Sequence, residues 1–242
     1  MLKLIKYEIK TVWKDLIMIL AVMALLNLAL MTRVNIWKND LVLGFSCLIF
    51  FGGLVAVFIS NIRMITRDLK ENTGYLLFTV PQSGYAIVGE KLIVSLIEVF
   101  FAGIIGMCFI VFFSSLVSGN SLGLPSVLQV IVFLYEYVSI IMFIYFVIAI
   151  TRMIMKGRRL SGFVEVALFA ALSFVSYKVA EVLNRIFPLK ISLSGVTNFQ
   201  MSSSNVSYGI NSYNIASGIF DIIVTMVLFV VVAYILEKKI EI

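Results

Sequence analysis

The chain reads as an all-α integral membrane protein, with six transmembrane helices behind an N-terminal amphipathic interfacial helix and both termini in the cytoplasm. Three observations predict this. Of the 242 residues, 62% are hydrophobic and 13% charged, and mean hydropathy is +1.09. A soluble domain carries about a quarter of its residues as charges, and this chain has too few to cover a globule. Its apolar residues gather into six runs near the roughly 20 residues that cross a bilayer as a helix. Its Lys and Arg residues lie between those runs, on one side far more than the other. The ten-residue alternation of barrel strands is absent.

The predicted spans are 16–32, 41–62, 92–117, 127–150, 162–180 and 213–236, within a single transmembrane domain covering 1–242. Ahead of them, 1–15 places Leu2, Ile5, Ile9, Val12 and Trp13 at helical spacing, continuing to Leu16, with Lys3, Lys6, Lys10 and Lys14 on the opposite side. That pattern suits a helix lying at the inner interface, its lysines reaching anionic lipid headgroups. Glu8 and Asp15 in the basic stretch, and the bulky Leu30-Met31-Thr32 where a cleavage site would fall, argue against a signal peptide. With the N-terminus inside, 14 Lys and Arg lie on the cytoplasmic side and 5 on the outer side. The latter are Arg33, Lys38, Lys178, Arg185 and Lys190. The expected location is therefore the cytoplasmic membrane of the cell, crossed several times.

The net charge of +6 follows membrane sidedness, and no basic patch interleaved with aromatics suggests nucleic acid. Cys47 and Cys108 sit inside apolar runs and read as small interior residues. The chain contains no histidine, so Ser-His and Cys-His catalysis and His-ligated zinc are excluded. No internal repeat is visible. The external stretch 181–212 is rich in Ser and Asn and carries the sequon Asn205-Val206-Ser207.

The cytoplasmic stretch 63–91 is the most informative. It is charged through Glu71, apolar across Tyr75, Leu76, Leu77 and Phe78, broken at Pro81, and apolar again up to Lys91. The 75–79 piece is too short to span, and Pro81 stops its helix. A short helix at the inner surface fits, either docking a cytosolic partner or lying there as a plain interfacial loop.

Glu71, Gly74, Leu76, Leu77, Thr79, Pro81, Ser83, Gly89 and Lys91 follow the order found in the inner loop of ABC-2-type permeases, the membrane subunits of type-2 ABC exporters. The chain resembles that family also in its amphipathic start, six spans and long outer loop before the last span. The resemblance implies a transporter subunit that is not itself an enzyme. It implies two permease subunits, identical or different, and separate ABC ATP-binding subunits that bind ATP and Mg. It also implies a coupling role toward that ATPase for Glu71, Gly74, Tyr75, Leu76, Leu77, Phe78, Thr79, Pro81 and Ser83. The chain itself is expected to bind no cofactor. Gly84 and Gly89 are spaced as in a phosphate loop, but Lys91 comes one position late and Leu92 stands where the Mg-binding Ser or Thr belongs.

Charged groups inside spans are costly and are functional candidates by default. Glu136 forms a polar stripe with Gln129 and Ser139, and Asp221 shares a face with Asn214, Gly218 and Thr225. Gln129, Glu136 and Asp221 are the candidates for a translocation path or for helix-to-helix contact. A proton-coupled secondary transporter using Glu136 and Asp221 is the alternative function. Glu98 is expected to reach toward the inner interface, and Glu165 and Lys178 to snorkel at span ends.

Overall fold

Lipid offers no hydrogen bonds, so each long apolar run must satisfy its own backbone, which an α-helix does segment by segment. The computed structural model describes residues 2–34, 36–37, 39–70, 83–118, 127–154, 161–188, 190–192 and 212–239. Its helices are α1 (Leu2–Met31), α2 (Asn39–Lys70), α3 (Gly84–Ser118), α4 (Val127–Ile154), α5 (Ser161–Ile186) and α6 (Ile215–Lys239). All six are long and apolar enough to cross a membrane. The chain is thus a multi-pass, all-helical membrane protein, with one small addition. Lys190–Ser192 (β1) pairs antiparallel with Ser212–Asn214 (β2), joining the two ends of the long stretch between α5 and α6.

Several helices run past their apolar runs. The stretch 63–91, read as a loop, is helical at both ends, since α2 continues to Lys70 and α3 begins at Gly84. Backbone hydrogen bonding does not stop where hydrophobicity stops, and Arg, Lys and Glu are good helix formers. The start of α3 is marked by the Ser83 carbonyl, which accepts the Ala86 and Ile87 amides at 2.9 and 3.4 Å. The end of α5 is marked by Pro188, which cannot donate a further helical bond.

Asn214 caps α6. Its side-chain oxygen accepts the Ala216 amide at 2.9 Å, while its side-chain nitrogen donates to the Phe187 carbonyl at 2.7 Å. One residue thereby caps one helix and ties it to the end of another.

The helices form two groups of three. α1, α2 and α3 pack against one another, as do α4, α5 and α6. The groups meet where α2 and α3 touch α4 and where α3 touches α6. The main core lies there, built from Val57, Val99, Tyr137, Met142, Tyr145 and Val232 among others. α5 is peripheral, and none of its spanning residues is fully buried. Leu25, Leu48, Phe51, Phe163, Val166 and Met226 are exposed, which suits a surface facing lipid.

Close approach depends on small residues, as is usual where lipid removes the hydrophobic drive between helices. A Cβ on Gly106 would run into the Phe50 ring, and one on Gly84 into the backbone carbonyl of Ala233 on α6. A backbone carbonyl cannot swing aside as a side chain can. Gly84→Ala is therefore expected to push α3 off α6 and cost about 1–3 kcal/mol. A lower midpoint of thermal unfolding in detergent would register this, and an unchanged midpoint would refute the close approach.

Candidate functional site

Of the predicted coupling residues, Glu71, Gly74, Tyr75, Leu76, Leu77, Phe78, Thr79 and Pro81 lie outside the described residues. Ser83 is described, exposed, at the head of α3. What the structure does define is the frame on either side, the C-terminal end of α2 and the N-terminal end of α3.

That frame is held by α1. The expected arrangement was an interfacial helix up to residue 15 followed by a span, with the apolar side in the bilayer. Instead α1 is one unbroken helix from Leu2 to Met31, and Ile9 and Val12 pack on Met64 of α2 and Val94 of α3. Helical periodicity identifies an apolar side but cannot say whether lipid or protein covers it. Turned this way, α1 carries Glu8 to its partners. Glu8 Oε1 lies 2.8 Å from Lys91 Nζ on α3 and 3.5 Å from an Arg67 guanidinium nitrogen on α2. The Lys91 side chain is only 4% exposed and that of Glu8 12%. One carboxylate therefore bridges both helices that flank 71–82.

A second polar cluster lies deeper. Glu98 does not reach the interface as its position suggested. It is 3% exposed, and its Oε2 accepts the Asn61 side-chain amide at 2.8 Å. The same Asn61 nitrogen lies 2.9 Å from the Tyr137 hydroxyl and 3.1 Å from the Val57 carbonyl. α2, α3 and α4 contribute one residue each to this junction. Asn61 and Tyr137 escaped the sequence reading, because an isolated Asn or Tyr in an apolar run marks no partner. Only Glu98, a charge deep in a span, was a signal. Nearer the other end of α1 and α2, Ser46 donates to Asn27 at 3.0 Å, a buried and satisfied helix contact.

The third group is Gln129, Glu136 and Asp221. Gln129 is half-buried, while Glu136 and Asp221 are exposed on the flank of the chain and lie within electrostatic reach of each other. Beside them, hydroxyls join α4 to α6. Tyr135 and Thr225 share a hydrogen bond of 3.3 Å, and Thr225 donates within reach of Ser139 at 3.1 Å and of the Asp221 backbone carbonyl at 2.8 Å. Hydroxyls of Tyr135, Ser139 and Thr225 thus join α4 to α6, and both acids lie on the same flank. Near the far end of α5, Glu181 pairs with Lys178 at 2.8 Å and with Arg185 at 2.6 Å on exposed surface, where such pairs contribute little.

These arrangements tie helices together and hold polar groups within an apolar bundle. No family model, no curated protein and no solved structure matches the chain.

Proposed function

We propose that this chain is the membrane subunit of an ABC exporter of the ABC-2 type. Two such subunits, identical or different, form the pathway across the cytoplasmic membrane, and separate ABC subunits bind ATP and Mg and drive it. The observation that carries this reading is the segment Glu71–Lys91, with its acidic residue, Gly74, Leu76-Leu77, Thr79, Pro81, Ser83 and terminal Gly89-Glu90-Lys91 in the order typical of permease inner loops. The frame around it supports the reading physically. A partner that pushes on 71–82 pushes directly on the ends of α2 and α3, and the Glu8 contacts to Arg67 and Lys91 pass that displacement to α1. In this scheme the N-terminus lies in the cytoplasm beside the loop, and inner-face lysines contact anionic lipid.

Co-expression with each ATP-binding subunit of the source cell tests the assignment. One such pair should co-purify in detergent, and membranes containing both should hydrolyse ATP. Failure of any ATP-binding subunit of the source cell to co-purify would remove the reading.

The proposed topology has its own test. In a variant lacking Cys47 and Cys108, single cysteines are introduced at Ser121, Ser203 and Ser161. An impermeant thiol reagent applied to intact cells should label the first two positions and spare the third. Labelling of the third alone would invert the orientation.

A further inference from the structure

We propose that the junction of α2, α3 and α4 is a proton-binding site, with the proton carried by the carboxyl of Glu98. The argument starts from hydrogen-bond supply. Glu98 is the fifteenth residue of the 35-residue α3 and is 3% exposed, while Asn61 is 1% and Tyr137 8% exposed. An ionised carboxylate offers about four lone-pair positions, yet the contact made to this one is a single amide at 2.8 Å. Its second oxygen, Oε1, has no hydrogen-bond partner among the described residues, and neither has Oδ1 of Asn61. The Asn61 amide has two N–H groups but three acceptors within 3.1 Å. With the Tyr137 hydroxyl proton included, three donors face five acceptor atoms (both Glu98 oxygens, Asn61 Oδ1, the Tyr137 oxygen and the Val57 carbonyl), so the cluster is short of a proton.

Charge leads to the same conclusion. The charged groups closest in electrostatic effect are Asp15 and Glu8 on α1, both acidic, and Tyr137 on α4 is neutral. The basic groups Arg67 and Lys91 lie at the base of α2 and α3, where Glu8 engages them. A bare carboxylate in such a place lacks the paired cation that offsets its lost hydration. One proton on Glu98 removes the charge and supplies the missing donor at once. A water molecule would supply donors and leave the charge. No bond other than O–H forms or breaks.

The site exists only while three helices are packed, since each contributes one member. Parting them admits water, and a hydrated Glu98 ionises as an exposed carboxyl does. Proton binding and closure of the junction are therefore linked, and each favours the other. Because α3 begins directly after residues 71–83, movement of that helix is expected to take up and release a proton. The inference rests on the geometry of this chain and not on the permease reading.

Infrared spectroscopy of the full-length protein in phospholipid nanodiscs tests it, without any partner. At neutral pH the wild type should show the carbonyl stretch of a protonated carboxyl group, shifting in D2O, and Glu98→Gln should lose it. In the wild type this band should persist at pH values where exposed carboxyls are fully ionised. Tyr137→Phe should keep the band and move its frequency, which also decides the matter if Glu98→Gln fails to fold. A wild-type minus Glu98→Gln difference made only of carboxylate bands overturns the proposal. So does a carboxylate band that responds to sodium rather than to pH, since the occupant would then be a metal cation. A band unmoved by Tyr137→Phe would place the proton elsewhere and overturn it too.

Discussion

Replacing Leu77 with Asp is expected to abolish transport while leaving the chain inserted in the membrane. In the proposed assembly Leu76, Leu77 and Phe78 bury apolar area in a groove of the ATPase subunit, and Gly74 allows the close approach. On the same proposal Glu71 would meet a basic residue there, and Pro81 would fix the turn that returns the chain to the third span. A charge forced into such a desolvated contact costs several kcal/mol. Since about 1.4 kcal/mol is tenfold, a cost of about 3 kcal/mol weakens association on the order of 100-fold. Insertion should survive, because the residue falls outside the predicted spanning runs. Co-purification with the ATP-binding subunit and substrate-stimulated ATP hydrolysis are the two measurements. Glu71→Lys should act in the same direction through charge, with a smaller loss at higher salt as screening grows. If both variants retain stable association and full hydrolysis, 71–83 is not the coupling element and the exporter assignment loses its main support.

The second large effect is expected at Glu8. Glu8→Lys sets a third cation against Arg67 and against Lys91, whose side chain is 4% exposed. Disrupting a buried ion pair from one side is costly, typically about 3–5 kcal/mol, and the reversal adds repulsion. Unfolding of Glu8→Lys in detergent should therefore occur at a markedly lower temperature than in the wild type. Lys91→Glu should do likewise. The double variant Glu8→Lys with Lys91→Glu restores opposite charges at the same place and should recover much of the loss, leaving the cost of Arg67 beside a lysine. Recovery is the diagnostic, because two independent structural defects would add. If the double variant is as unstable as the two losses combined, the contact does not hold α1 to α3. In the assembled transporter the same pair should separate association from coupling. Glu8→Lys should still bind the ATPase subunit through the unaltered 71–83 segment but respond poorly to substrate.

The number of spans was legible in the sequence, because the length of a membrane helix is set by bilayer thickness and each apolar run declares itself. The limits of the helices were less legible. α2, α3 and α5 overrun their apolar stretches because helical hydrogen bonding continues through charged helix formers such as Arg67, Lys91 and Glu181. The ribbon of Lys190–Ser192 with Ser212–Asn214 escaped notice because three-residue strands carry almost no periodic signal and pair across a long intervening stretch.

The candidate sites divide along the same line. A charge inside a span is visible as an anomaly in one dimension, which is how Glu136 and Asp221 became candidates and why Glu98 was noticed, though as a side chain reaching toward the interface. Sequence alone could not assign their surroundings, since a helix surface is defined by its neighbours. Packing buried Glu98 against Asn61 and Tyr137, 37 and 39 residues away in the chain, and left Glu136 and Asp221 on the flank. Likewise the amphipathic character of the chain's first 15 residues was plain, but whether Ile9 and Val12 met lipid or protein was not. The sequence determined how many helices there are, which charges are anomalous and where the charged stretch 63–91 interrupts the apolar pattern, because these follow from local chemistry and length. Only the tertiary structure decided which polar groups meet, because side-chain partners on different helices are chosen by packing between distant segments and leave no period along the chain.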